Sequence, residues 1–185
     1  MTTNTNALPT VTIDLVLDRR STTEVLSAVL HAILFHRLFG TVKPTTFQVQ
    51  DITIPGVDDA DTKQLVDEKV HAFWRAMEGG PSKRGQIIVT FAEKRARKGW
   101  FYMGEEEVPW EQWIVNAEIR QPKSEQDRVS FNADLASSLT KALQTMLTHI
   151  SSETGRKAVP LITSSTGISP FPFKVLVKVN GAEVG

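Results

Sequence analysis

KRARKGWFYMGEEEVPWEQW, residues 94–113, is the stretch on which the fold turns. It sets three of the chain's four tryptophans and its only tyrosine between a basic run and an acidic one. QIIVTF (residues 86–91) precedes it and WIVNAEI (residues 113–119) ends it, both short apolar runs of strand composition. Two strands bracketing a turn-rich segment predict a long hairpin, with residues 100–107 near its tip.

Outward from the hairpin, the chain alternates strands and helices. VTIDLVLD (residues 11–18) has period two, with Val11, Ile13, Leu15 and Leu17 on one face of a half-buried strand. Ser21 and Glu24 have capping-box spacing ahead of VLSAVLHAILFHRLF, a helix apolar on most sides that stops at Gly40, its expected C′ residue. TFQVQDITI (residues 46–54) reads as one alternating strand closed by Pro55-Gly56. Residues 58–77 form an amphipathic helix with an acidic start, where the helix dipole favours carboxylates. Ser124 and Asp127 cap a long helix to about residue 151, with Leu135, Leu139, Leu143, Met146, Leu147 and Ile150 as its buried stripe, ended by residues 153–155. FKVLVKV (residues 173–179) is the last strand. The order β-α-β-α-β-β-α-β predicts an α+β domain, one mainly antiparallel sheet backed by three helices, over residues 8–179. Residues 1–7 read as a flexible arm and 180–185 as a short tail.

Composition narrows the function. A chain of 185 residues fits one well-buried domain. Twenty-one basic and 21 acidic residues cancel, so no global field draws it to nucleic acid or anionic lipid. The absence of cysteine removes disulfides, thiolate nucleophiles and Cys-based zinc sites, and fits a reducing compartment. MTTNTNALPT lacks an apolar signal core, and no run approaches the ~18 apolar residues of a membrane span, so a cytoplasmic location is expected.

No catalytic, metal or cofactor constellation emerges. His31 and His36 are five apart, not the i, i+4 spacing of a helical zinc pair. GGPSKRGQI has the outer spacing of a phosphate loop, but Gln86 stands where lysine is required and a helix precedes it. Glu105, Glu106 and Glu107 are consecutive and read as a solvated turn rather than an acid/base pair.

Two features remain. Lys94, Arg95, Arg97 and Lys98 beside Trp100, Phe101 and Tyr102 could hold phosphates and stack bases, or meet an anionic membrane. The adjacent glutamates lie within about a Debye length, ~8 Å, and offset that attraction. The second feature is the aromatic tip, from Trp100 to Met103 among glycines and charges. Either it presents interaction anchors to solvent or it folds back and buries its own rings.

AVLHAILFHR (residues 28–37), KRARKGWF followed by VPWEQWIV (within 94–115) and SPFPFKVLVKV (residues 169–179) together resemble the autophagy-related protein 101 family. The resemblance implies a HORMA fold and a non-enzymatic scaffold of the autophagy-initiating kinase complex at the phagophore assembly site. It implies pairing with, and stabilisation of, the HORMA domain of autophagy-related protein 13. It also implies an exposed Trp-Phe finger on the hairpin that recruits downstream factors. On this sequence the finger falls on Trp100 and Phe101. A gap-free count back from Val108-Pro109-Trp110 gives Phe101 and Met103 for the family's Trp-x-Phe. His36, in the matching His-Arg pair, and Asp51, in the matching Gln-Asp pair, are the residues implied at the heterodimer surface.

Overall fold

Val11, Ile13, Leu15 and Leu17 are all buried, on strand β1 (Thr10–Leu17), as their alternation requires. The computed structural model describes residues 7–80, 83–99, 102–164 and 166–185, and only the backbone of Lys98, Tyr102 and Met103. After β1 come helix α1 (Thr22–Arg37), strands β2 (Pro44–Val49) and β3 (Ile52–Val57), and helix α2 (Ala60–Gly79). Strands β4 (Arg84–Gly99) and β5 (Tyr102–Ile119) follow, then helices α3 (Glu125–Ser151) and α4 (Glu153–Ala158), and strands β6 (Phe173–Val179) and β7 (Ala182–Glu183).

The main sheet has order β1-β5-β4-β6-β7. Among the described residues only the β1–β5 pairing is parallel; the others in this sheet are antiparallel. Its register stacks one apolar row across four strands, Val11–Trp113–Val89–Val175, and a second, Ile13–Val115–Ile87–Val177. All eight side chains are buried on one face. Helix α1 lies in that core with eleven of its sixteen residues buried, because α2 flanks it and the separate β2–β3 hairpin packs on it. An α+β architecture with three long helices backing a mainly antiparallel sheet is therefore what the chain adopts.

Several local expectations are corrected. Ser21 makes no side-chain cap to α1. Asp18 organises that turn instead: its Oδ1 accepts from Ser21 Oγ and from the Arg20 and Ser21 N–H groups. Phe39, with φ of 56°, reverses the chain after α1. Gly40 is needed for another reason, since a Cβ there would lie 2.4 Å from the Gly167 carbonyl oxygen, against which the backbone packs. Residues 46–54 are not one strand but the end of β2, a two-residue turn and the start of β3. Gln50 supplies the turn's positive φ of 53°, and Pro55-Gly56 lies inside β3. Helix α2 begins at Asp59, whose carboxylate accepts from the Thr62 N–H, and α3 at Ser124, whose hydroxyl accepts from the Asp127 N–H. Leu147 faces solvent, its place in the buried set of α3 taken by Ala142. Residues 153–155 begin α4 rather than ending the helical region.

Candidate functional site

Strands β4 and β5 pair from Arg84↔Glu118 out to Gly99↔Tyr102, while β6 leaves β4 at Phe91 and β1 leaves β5 at Gln112. Residues 92–99 and 102–109 therefore continue as a bare two-stranded ribbon of roughly 25 Å, at ~3.3 Å per residue. Such a ribbon is marginal alone. Its sequence supplies cross-strand charge pairing, with Lys94 opposite Glu107 and Arg95 opposite Glu106. Lys94 also reaches Glu105 diagonally at 3.9 Å, Arg97 reaches Glu106 at 4.0 Å, and Lys174 of β6 meets Glu107 at 3.0 Å. The basic run and the acidic run are thus the two strands of one stalk.

A bulge sits at the ribbon's root, where Phe91 pairs with Glu111 and Ala92 with Pro109, leaving Trp110 as the extra residue. In a regular strand Trp110 and Trp113 would face opposite sides. The bulge lets both be buried, Trp110 among Phe91, Phe171 and the guanidinium of Arg37. Among the described residues, the Trp110 Nε1 is buried with no hydrogen-bond acceptor.

Beneath the bulge lies a buried charge cluster. The Glu111 carboxylate is wholly inaccessible and accepts four hydrogen bonds. Arg37 donates from Nε to Oε1 at 2.8 Å and from Nη2 to Oε2 at 2.7 Å; Trp113 Nε1 donates to Oε1 at 2.5 Å, and His149 Nε2 to Oε2 at 2.7 Å. Arg37 also donates to the Gly155 carbonyl at 3.0 Å, and Phe39 and Trp110 cover its guanidinium. Three elements, α1, β5 and α3, meet on one carboxylate, and Arg37 ties in α4 through the Gly155 carbonyl. Gly155 is required at that corner, because a Cβ would fall 1.9 Å from the His149 carbonyl oxygen. The cluster holds no nucleophile, and every polar atom of Glu111 is engaged, so what it does is hold: it fixes the ribbon's root to the helices.

The expected site residues are spread out. Trp100 and Phe101 lie outside the described residues; Met103 pairs with Lys98 in the ribbon, its side chain likewise outside them. His36 is half-buried on α1 with its ring edge-on to Phe35, and burial, then the Arg37 charge, push its pKa down. Asp51 is exposed in the β2–β3 turn. No hydrogen bond or ring contact joins His36 to Asp51 among the described residues. Sequence reading missed Glu111 and His149, although the signal for Glu111 was there. Counting by twos from Trp113, Val115 and Ala117 puts Glu111 on the core face, and a core carboxylate demands a cation. No comparable periodicity marks His149 as its third donor.

Among the described residues no helix is long and apolar enough to cross a membrane, and no group of three His, Asp or Glu could hold a metal ion. The family model described as Autophagy-related protein 101 matches residues 14–166, a span that includes Arg37, the whole ribbon, Glu111, His149 and Gly155. Autophagy-related protein 101 of Schizosaccharomyces pombe is 38% identical over 110 residues, 60% of this chain and 59% of that protein's length, less than two thirds of it. Autophagy-related protein 101 of Arabidopsis thaliana is 26% identical over 170 residues, 83% of this chain and 79% of its own length. With most of its length matched by that family model, and the matched span holding both the ribbon and its anchor, the chain belongs to the Autophagy-related protein 101 family.

Proposed function

We propose that the chain is a non-enzymatic scaffold of autophagy initiation, a subunit of the initiating kinase complex at the phagophore assembly site. In this reading it pairs with the HORMA domain of autophagy-related protein 13, stabilises it, and offers an aromatic finger to downstream factors. The observation that carries the reading is the ribbon. Its charges cancel along the stalk, it is rooted on a four-element buried cluster, and its sequence tip is Trp100-Phe101. A stalk already paired as two strands lowers the ordering cost of binding at its end, and tryptophan is a common hot-spot anchor. The surface bearing His36 and Asp51 is assigned to the heterodimer, with Phe101 and Met103 as the alternative register of the finger.

Size exclusion of the purified chain with that HORMA domain should give a one-to-one complex, and a folded sample that shows no association overturns the pairing. Replacing Trp100 and Phe101 together by alanine should leave fold and heterodimer intact while losing capture of downstream factors. Unfolding of that variant would mean the rings are core. The rival reading, nucleic-acid or anionic-membrane binding through Lys94 to Lys98, is disfavoured by the glutamates paired across the same stalk. It would appear as salt-dependent binding that weakens when those charges are removed.

A further inference from the structure

The outer edge of β1 is built differently from the other strand edges. The Gln112 N–H donates to the Pro9 carbonyl and the Arg120 N–H to the Leu17 carbonyl, so odd-numbered residues of β1 turn their backbone groups toward β5. Thr10, Thr12, Asp14 and Val16 therefore turn theirs outward, where the sheet ends. Among the described residues no backbone hydrogen bond reaches those four N–H and four C=O groups. Open edges normally carry a guard. At the opposite end of the sheet, β7 pairs with Lys178 and Val179, and Lys174 stands exposed beyond it. The ribbon is covered in charge. From Thr10 to Leu17 there is no proline, lysine or bulge, and the carboxylate of Asp14 is held by Asn116 Nδ2 at 2.7 Å.

Helix α3 runs beside this edge. Thr10, Val11 and Thr12 line an open groove with Lys141, Thr145, Thr148, His149 and Ser152; Asp14 and Ser138 border a separate hollow that spreads over the outer face of the sheet to Gln86 and Lys178. Residues 138, 141, 145, 148 and 152 share one helical face. All but Lys141 are short hydroxyl residues that let another backbone approach. Lys141 forms no ion pair among the described residues and is the groove's unopposed cation.

We propose that the β1 edge is a docking strip for an extended, acidic segment of a partner protein, which adds to the sheet as a sixth strand and sets a carboxylate against Lys141. Outward N–H and C=O groups at alternate residues specify an extended backbone, and the lone cation specifies the sign of its side chains. The inference does not depend on the aromatic finger or on the heterodimer.

The test uses the whole chain and a fluorescein-labelled, capped heptapeptide of alternating valine and glutamate, read by fluorescence polarisation. The peptide should bind, and its lysine counterpart should bind about tenfold or more weaker. N-methylation of alternate peptide amides should abolish binding in one phase and spare it in the other, because only one edge of the added strand meets β1. Thr12→Pro removes an outward N–H without touching the β1–β5 ladder and should weaken binding about tenfold. Lys141→Glu should reverse the charge preference. Absence of binding, equal effects of the two N-methyl phases, or an unchanged preference in Lys141→Glu overturns the proposal. Those measurements decide it even if Thr12→Pro does not fold.

Discussion

Replacing Arg37 by methionine tests whether the buried cluster roots the ribbon. The substitution keeps much of the side-chain volume but withdraws two of the four donors to Glu111, and with them the guanidinium charge. Both partners are buried, with side-chain exposures of 3% and 0%, so water cannot replace what is lost. Breaking one side of such a pair costs about 3–5 kcal/mol, because the other charge stays buried without compensation. Set against a typical domain stability of about 5–15 kcal/mol, that is a large fraction. At ~2–4 °C per kcal/mol for a chain of this size, the melting midpoint should fall by roughly 6–20 °C. Urea unfolding followed by far-UV circular dichroism and by tryptophan fluorescence measures the loss directly. Pairing Arg37→Met with Glu111→Gln removes the stranded charge and should recover about 2 kcal/mol or more relative to the sum of the single variants. A single-variant loss below about 1 kcal/mol, or strict additivity in the double variant, would refute the idea that the buried Arg37–Glu111 pair ties four elements together.

Gly40→Ala should destabilise by about 1–3 kcal/mol, read as a lowered denaturation midpoint, since its Cβ would collide with the Gly167 and Ile168 backbone; a neutral result would mean that segment yields freely. Stability should also depend on pH through His31. Burial holds its imidazole below the ordinary range, with Asp67 opposing and Lys63 assisting, so the folded chain binds fewer protons than the unfolded one. The unfolding free energy is then flat above about pH 6.5 and declines as pH falls below it. His31→Gln keeps an acceptor facing the Val57 N–H, 3.5 Å from His31 Nδ1, and should flatten part of that slope in urea titrations from pH 7.5 to 5.5; an unchanged slope counts against His31 as its source.

Elements whose residues carry a strong period were legible in advance. β1, α2, α3 and β6 follow the alternation or the apolar stripe that announces them, and Ser124 caps its helix through its side chain. Where the text misled, tertiary contact had overridden a local rule. Gln50 accepts a positive φ that composition assigns to glycine, so the β2–β3 turn left no signal. Gly40 carried a C-cap signature but is set by backbone crowding from residues more than a hundred positions later. The ribbon was foreseen as a hairpin; its reach was not, because charged residues far from any core have no periodicity to count. The buried cluster joins residues 37, 111, 149 and 155, a closure visible only in three dimensions, although the parity of Glu111 with Trp113 hinted at one member.

The parallel pairing of β1 with β5 has a consequence for synthesis. Thr10 meets Gln112, so about a hundred residues separate the two strands. At ribosomal rates of about 5–20 residues per second, β1 emerges several seconds, up to roughly 20, before its partner exists. Throughout that interval a strand with four apolar side chains on one face has nothing to pair with. β1 can therefore be seated only after β5 exists, by which time β4 is already available to pair with β5, so a strand made early enters the sheet late.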